Sequence, residues 1–561
     1  MSSEIAGMVS IPAHSPGNIT VDSRGCLQYP SCACSNQCCT KHTPSNVSNS
    51  STTTTREQSV SSTGTNDGSL VYSELDTQHV IHLSSVERCM PRAYIRVCLA
   101  YRVADSQVLS GALEKLNTFV RRTIDAKPYL SGYVVPVQHQ LANPDGLEVR
   151  FSNRDFIDYP PVNVRHLTTK EMPYSYDELS NLGLPPSTIR PELVSALPEG
   201  TDEERAPAFR VQANVIDGGI IVSIYLHHCI SDGTGLGLLA TGKVLNDDFT
   251  FERHLPAVTL PQTVPTLTSR LAAFANQKSI VRKELSWSSP NSVPDRHLHY
   301  KFVTSATCVP LPINSPGRGC IVSIPRDHVE SLQKRVRAEI ADIQQKDGVE
   351  SSEDCTISKT DVLQTLLWHH MTRARIPSLQ DIYAVTKSKL LTPVSIRDKL
   401  KRKLPEGYFG AAIDFAWTEF PLKHLSMSDI TSLAKTAYSI HGSIGRVDES
   451  YVRQVIALVH SSKGQIDVRD LLASNMNRLT GADMYITSWS RLGLYETTLD
   501  MGLGKPDWVR KPWSKDPGSC IILPLDDNKS YWEIVVQMTE NDMSRLLADP
   551  EFMRYVERVI D

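Results

Sequence analysis

The stretch from His227 to Gly235 places two imidazoles, a thiol and a carboxylate next to one another. An imidazole titrates near neutral pH, so it can remove a proton from a hydroxyl or amine group. The strand before it is apolar on its even-numbered face, from Ile220 to Leu226, and side chains alternate along a strand. His228 continues this face, whereas His227 points away from it. We predict that His228 is the histidine that faces the interior and acts as a general base.

The role of Asp232, four residues after His228, stays open at this point. It precedes an apolar run from Leu236, as a helix N-cap does, and it could also orient the imidazole as in hydrolase triads. Gly233 allows the chain to turn sharply. Cys229 is a potential nucleophile, but on a continuing strand its side chain faces away from His228. Such a short motif is more often structural than catalytic, so it needs support from elsewhere in the chain.

The composition excludes several classes of protein. The 561 residues include 58 Lys and Arg against 62 Asp and Glu, for a formal net charge of −4, and no basic block marks a nucleic-acid surface. The apolar runs are too short to cross a bilayer, and the N-terminus lacks the features of a secretory signal. We predict a cytoplasmic protein that binds neither nucleic acid nor membrane.

Five of the 12 cysteines crowd between Cys26 and Cys39, within a segment rich in Ser, Thr, Asn, Pro and Gly. Closely spaced thiols can bind soft metals, but such a segment buries too little apolar surface to become ordered. We therefore predict a disordered extension over residues 1–70 and no metal site.

Strand and helix patterns are intermixed through the remaining chain, which indicates an α/β protein. A hairpin around Asp217 leads to His228, and Ser358 with Asp361 predicts a capping box at the start of a helix. Leu130–Val137 is predicted as a strand and Glu540–Val559 as a helix. The predicted organisation is an extension over 1–70, a first lobe over 71–253, a proline-containing crossover over 254–315 and a second lobe over 316–561.

A second motif lies far downstream, where Asp500 to Trp508 forms a glycine-containing loop that follows Thr487-Ser488-Trp489. Together with His-x-x-x-Asp-Gly, it resembles the BAHD acyltransferases, and especially fungal members such as the trichothecene acetyltransferases. In that family the second signature is Asp-Phe-Gly-Trp-Gly-Lys-Pro. Here Met501 and Leu503 replace the two aromatic residues, a change that concerns the packing of the loop and the subgroup rather than the chemistry.

The resemblance implies two similar chloramphenicol-acetyltransferase-like lobes, each a mixed sheet with helices, with the active site in a channel between them. It also implies a monomeric fungal enzyme of secondary metabolism. Such an enzyme transfers an acyl group, by analogy acetyl, from acyl-CoA to a hydroxyl or amine of a specialised metabolite. Acyl-CoA is a co-substrate, no cofactor is permanently bound, and no covalent acyl-enzyme forms.

By the same resemblance, His228 is the base, while Asp232 turns away from it and pairs with Arg397. The Thr487 hydroxyl and the Trp489 indole N–H would stabilise the oxyanion. The remaining residues of the predicted site are structural, namely Gly233, Asp500, Gly502 and Gly504.

Two other interpretations stay open. His-His-x-x-x-Asp-Gly is also the signature of condensation domains, whose donor is a carrier-protein thioester. A non-catalytic small-molecule-binding relative could keep the same fold, since fold alone does not establish chemistry.

Overall fold

The structure, a computed structural model, describes residues 76–103, 105–137, 147–195, 197, 205–245, 317–347, 356–379, 385–400, 404–405, 407–461, 476, 481–514 and 516–561. The predicted extension with its cysteine cluster and the predicted crossover lie outside the described residues.

A five-stranded sheet carries the His228 motif. In chain order its strands are β2 (Tyr94–Arg102), β5 (Asn163–His166), β7 (Phe209–Ile216), β8 (Gly219–His227) and β13 (Trp508–Arg510), and their spatial order is β13-β2-β8-β7-β5. The predicted hairpin is confirmed as the antiparallel β7–β8 pair. Gly218, in its turn, has a φ of +74°, which a residue without Cβ adopts without steric cost. His227 is thus the last residue of a central strand.

The described part of the chain contains two further sheets. The seven-stranded sheet has the order β11-β10-β12-β14-β15-β9-β16 and is mixed, since β10–β12 and β12–β14 are parallel pairs. Its strands are β9 (Gly317–Pro325), β10 (Lys387–Ser395), β11 (Ile413–Pro421), β12 (Met484–Ser488), β14 (Ser519–Ile522), β15 (Tyr531–Thr539) and β16 (Arg558–Ile560). The four-stranded sheet, in the order β1-β4-β3-β6, consists of β1 (Gln78–His82), β3 (Tyr133–Pro136), β4 (Leu147–Ser152) and β6 (Ala206–Pro207).

The helices are α1 (Ser85–Arg88), α2 (Ser106–Ala126), α3 (Asn153–Ile157), α4 (Tyr176–Leu182), α5 (Pro191–Val194), α6 (Gly233–Ala240), α7 (Arg326–Lys346), α8 (Lys359–Arg375), α9 (Leu422–Leu425), α10 (Ile430–Arg446), α11 (Glu449–Ser461), α12 (Glu540–Leu547) and α13 (Pro550–Met553). The predicted capping box at the start of α8 is confirmed, since Ser358 and Asp361 each bind the other's backbone N–H. No helix in the described part of the chain is long and apolar enough to cross a membrane.

Both faces of β8 are covered. Its even-numbered apolar residues, from Ile220 to Leu226, belong to the main hydrophobic core, as the alternation predicts. The odd-numbered Ile221 packs in a separate core with residues of 172–194, among them Tyr176 and Leu179. Strands covered on both faces have nearly continuous apolar sequences, so alternation alone does not reveal the second cover.

Two predicted elements are wrong in detail. The segment predicted as one helix over Glu540–Val559 ends its first helix at Leu547, restarts at Pro550 and finishes in strand β16, antiparallel to β9. Pro550 lacks the N–H that a continuing helix needs, and it fits the first turn of a new one. The strand predicted over Leu130–Val137 is shortened to β3, because residues up to Ser131 form a 3₁₀ turn.

Candidate active site

His228 stands immediately after β8 and is still held by the sheet, since its backbone N–H donates to the carbonyl of Ala93 at 2.8 Å. Its side chain is half-buried, and among the described residues none forms a hydrogen bond with its buried Nδ1. Burial lowers the pKa of His228 below its usual value, although the backbone of His228 and Ser231 and the charge of Asp232 act in the opposite direction. The imidazole is therefore neutral at pH 7, as a general base must be.

The prediction that only one of the two histidines faces the interior is wrong. His227 is only 1% exposed, because the second face of β8 is covered as well. Its ring lies edge-on to Tyr94, with the centroids 5.5 Å apart, and its Nδ1 accepts the N–H of Cys229 at 3.2 Å. Burial lowers the pKa of His227 to about 3, with smaller contributions from His228 and Arg92.

Asp232 is fully buried and does not orient His228. Its two oxygens accept from Arg397 Nη1 at 2.8 Å and Nη2 at 3.0 Å, from Gly235 N at 3.0 Å and from Ala412 N at 2.8 Å. This set of four donors occupies both carboxylate oxygens. The pair with Arg397 predicted from the family resemblance is present, and Asp232 holds the loop and caps α6.

Arg397 also organises the chain before β11. Its Nη2 donates to the carbonyls of Tyr408 at 3.2 Å and Gly410 at 3.0 Å. The carbonyl of Phe409, between them, accepts the hydroxyl of Ser231 from the His228 loop. One guanidinium and one hydroxyl therefore fix this segment against the loop.

Glycines in α6 allow two other segments to approach the motif closely. A Cβ on Gly235 would lie 2.6 Å from the carbonyl oxygen of Phe409, and one on Gly237 would lie 2.2 Å from that of Leu492. Gly233, part of the predicted site, has a Leu492 methyl group 3.2 Å from its hypothetical Cβ. The start of α6 is thus the meeting point of the His228 loop, the Phe409 segment and the turn that follows Trp489.

Thr487 and Trp489 lie at the end of β12. Thr487 is half-buried and pairs in register with Ile521. Trp489 is 7% exposed, and its backbone N–H donates to the carbonyl of Ile522 at 2.8 Å. The carbonyl of Trp489 accepts from Leu492, whose own backbone touches α6. The strand end therefore approaches the His228 motif, and the roles of Thr487 and Trp489 as oxyanion donors stay a prediction.

The loop from Asp500 to Pro506 contains three residues with positive φ. Gly502 and Gly504 have φ values of +77° and +81°, and Asp500 adopts +53° while pairing with Arg122 at 3.0 Å. Met501, which replaces an aromatic residue of the family signature, is 1% exposed and belongs to the main core. The substitution thus keeps an apolar anchor in the loop.

The loop leads into β13, where Asp507 closes it. The carboxylate of Asp507 accepts from the hydroxyl of Tyr176 at 2.6 Å and from the backbone N–H of Arg102 at 3.2 Å, so it is bound to α4 and to the end of β2. Trp508 then pairs with Ala100 on β2.

Cys229 has the wrong environment for a nucleophile. Its Sγ faces the carbonyl of Met90 at 3.5 Å, and burial raises the thiol pKa to about 12. Among the described residues no group of three or more His, Cys, Asp or Glu could hold a metal ion. His369 and His370 are ordinary helix residues, bound to Met427 and Thr436 in one case and to Asp549 in the other.

Three contributors to the site were not predicted from the sequence. They are the N–H of Ala412, the hydroxyl of Ser231 and the close approach at Gly237. The alternation of glycines at 233, 235 and 237 was a signal for the third, because a helix start rarely needs so many residues without Cβ unless another chain passes close by. The first two depend on contacts between distant segments.

Comparisons with known proteins find relatives that match most of the chain. Residues 93–241 match the family model of the trichothecene 3-O-acetyltransferase-like N-terminal domain, and residues 327–553 match that of the Transferase family. The chain is 26% identical over 529 residues to an O-acetyltransferase of Neosartorya fischeri (anaAT), covering 84% of this chain and 96% of that relative. It is 25% identical over 484 residues to an eremophilane O-acetyltransferase of Penicillium rubens (prx11), covering 84% and 97% respectively.

A solved structure has the same fold. The crystal structure of TRI101 from F. sporotrichioides, complexed with coenzyme A and T-2, superimposes with a TM-score of 0.67 at 18% identity, covering 86% of this chain and all (100%) of that one. The chain therefore has the two-lobed α/β fold of that structure.

Proposed function

The chain belongs to the BAHD-type acyl-CoA-dependent acyltransferases, and we propose that it moves an acetyl group from acetyl-CoA to a hydroxyl group of a specialised metabolite, with His228 as the general base. The relatives named above include O-acetyltransferases, one of them an eremophilane O-acetyltransferase. A terpenoid or similarly apolar alcohol is the acceptor that these names favour.

The proposed reaction proceeds in one displacement. The neutral imidazole of His228 takes the proton of the acceptor hydroxyl as its oxygen attacks the thioester carbonyl. The tetrahedral intermediate carries its negative charge on the former carbonyl oxygen, to which the Thr487 hydroxyl and the Trp489 indole N–H donate. One such donor typically lowers the activation free energy by about 3 kcal/mol. When the C–S bond breaks, the imidazolium returns the proton to the CoA thiolate. Catalysis rests largely on holding both substrates in line.

One observation carries the proposal. The carboxylate of Asp232 is saturated by Arg397 and two backbone N–H groups, so it makes no hydrogen bond to the imidazole of His228, whose pKa is lowered by burial. A neutral histidine whose neighbouring carboxylate is already used by the loop supports the proposal that His228 accepts a proton from the substrate. The protonated thiol of Cys229, turned toward Met90, supports direct transfer without an acyl-enzyme.

Mass spectrometry tests the proposal. A pool of fungal terpenoid and polyketide alcohols is incubated with the protein and free acetyl-CoA, and each mass gain of one acetyl group is scored. The gains should vanish for His228→Ala and persist for His166→Ala, which changes an exposed histidine on β5.

Two results would contradict the proposal. Turnover that required a carrier-protein thioester in place of free acetyl-CoA would favour a condensation-type enzyme. Binding of the metabolites without any turnover by the wild type would favour a non-catalytic relative.

A further inference from the structure

The turn that presents His228 is held mainly by its neighbour. The N–H of His228 binds the carbonyl of Ala93, just before β2, whereas the N–H groups of Ile230 and Ser231 bind the carbonyl of His227 at 2.9 and 3.4 Å. The remaining N–H of the turn, that of Cys229, binds the ring of His227 at Nδ1. Three of the four donors from residue 228 to 231 are therefore satisfied by a single residue.

The ring contact has the geometry of an Asx turn, in which a side-chain acceptor binds the backbone N–H two residues later. A buried N–H that loses its acceptor is costly, so this bond ties the position of Cys229 to that of the His227 ring. His228 lies between the two tied residues.

The His227 ring is itself fixed from the other side. Tyr94 is its partner across the β2–β8 pair and meets the ring edge-on, and the hydroxyl of Tyr94 donates to the carbonyl of Pro207 at 3.0 Å. Tyr225 packs edge-on against Tyr94 with centroids 6.0 Å apart. The His227 ring is thus held by the sheet on one side and bonded to the turn at Cys229 on the other.

From this arrangement we infer that His227 is a positioning residue for the reaction: its Nδ1 accepts the Cys229 N–H and thereby fixes the backbone that aims His228 at the acceptor. The inference rests on the proposed role of His228. His227 is not a second base, because it is buried and its Nδ1 lone pair is already used.

Two substitutions separate the hydrogen bond from the packing. His227→Phe keeps a flat ring against Tyr94 but removes the acceptor. His227→Asn shortens the side chain but keeps an oxygen able to accept the same N–H. His227→Phe should lower kcat about tenfold with the KM for acetyl-CoA unchanged, as expected for one buried hydrogen bond that aligns the base. His227→Asn should recover kcat to within about threefold of the wild type.

The matched control is His79→Phe. His79 also makes one ring hydrogen bond, from Nε2 to Asn153 at 2.8 Å, and also lies against an aromatic ring, that of Phe151. This variant should keep the wild-type kcat. If His227→Phe matched the wild type, or if His227→Asn were no better than His227→Phe at equal melting temperature, His227 would have no positioning role.

A measurement without turnover distinguishes this inference from the proposed function. In ¹⁵N-histidine-labelled protein, the imidazole signals that disappear in His227→Phe belong to His227. They should show the tautomer with the proton on Nε2 and an unprotonated Nδ1. A proton on Nδ1 would overturn the inference even if the enzyme were active, whereas absence of acetyl transfer by a wild type with the expected tautomer would overturn only the proposed function.

Discussion

Arg397 and Asp232 form a bidentate ion pair, with Nη1···Oδ2 at 2.8 Å and Nη2···Oδ1 at 3.0 Å, although 165 residues separate them in the chain. The carboxylate is fully buried and the arginine side chain is 14% exposed. The same arginine binds the carbonyls of Tyr408 and Gly410, so this one contact fixes both the His228 loop and the segment before β11.

Removing the arginine should be strongly destabilising. Arg397→Ala leaves the buried Asp232 charge uncompensated, and we expect the free energy of unfolding, measured in urea, to fall by about 3–5 kcal/mol. Arg397→Lys should lie between this variant and the wild type, because an ammonium cannot form two parallel bonds to a carboxylate. Lys346→Ala breaks an exposed pair with Asp342 and should leave stability unchanged; an equal loss in both variants would refute the argument from burial.

A methyl group at Gly237 should displace the turn that follows Trp489. The Cβ of Gly237→Ala would lie 2.2 Å from the Leu492 carbonyl oxygen, so the turn after Trp489 must shift. We expect a loss of about 1–3 kcal/mol in stability together with a lower kcat.

Gly111→Ala is the matched control for Gly237→Ala, since it also adds a methyl group to a helix but meets nothing within 4 Å. It should raise stability by about 0.5–1 kcal/mol and leave kcat unaltered. Wild-type kinetics in Gly237→Ala would show that the position of the Trp489 turn does not matter for turnover.

Replacing the cysteine beside the base should have little effect. Cys229→Ser replaces the thiol with a hydroxyl, which can also donate toward the Met90 carbonyl. The thiol, with a pKa of about 12, is protonated in the wild type. We expect kcat within about threefold of the wild type, because no covalent step depends on the sulfur. Intact-mass spectra during turnover should show no acetylated protein; an acetyl group on Cys229 would replace direct transfer with a two-step mechanism.

The pH dependence of turnover should reflect a histidine with a lowered pKa. The neutral imidazole is the active form, so activity is present above the pKa of His228 in the folded protein and is lost as the pH falls through it. Burial lowers this pKa from the ordinary value of 6.5, so the acid limb of kcat/KM should have its midpoint below pH 6.5 and full activity should persist at neutral pH. A midpoint at or above 6.5 would mean that His228 is better solvated, or more strongly paired with Asp232, than the structure indicates.

Local patterns predicted the strand that leads to His228 and the start of one helix. The alternation from Ile220 to Leu226 predicted β8 and its core face, and Ser358 with Asp361 predicted the start of α8. These signals operate within a few residues, through strand alternation and capping, so one sequence is enough to detect them. The Asp232–Arg397 contact, by contrast, came from a family resemblance rather than from the residues themselves.

Features that depend on distant segments could not be predicted in this way. The burial of His227 involves Tyr94 on β2, which packs edge-on against its ring. Farther along the same face of β8, Ile221 is covered by residues 172–194, whose polar, proline-containing sequence shows little periodicity. Strand β16 is three residues long and exists because β9 offers it an edge. The contact of Gly237 with Leu492 likewise joins two segments whose proximity only the folded chain reveals.

Strand β13 comes from the second half of the chain, yet it is hydrogen-bonded along β2, at the edge of the sheet that bears His228. A gene fragment encoding only the first half would leave the edge of β2 exposed, and exposed edges invite unwanted pairing with other chains. The two halves are therefore not interchangeable modules. An exchange of either half between relatives would have to transfer Trp508–Arg510 together with β2, the strand with which it pairs.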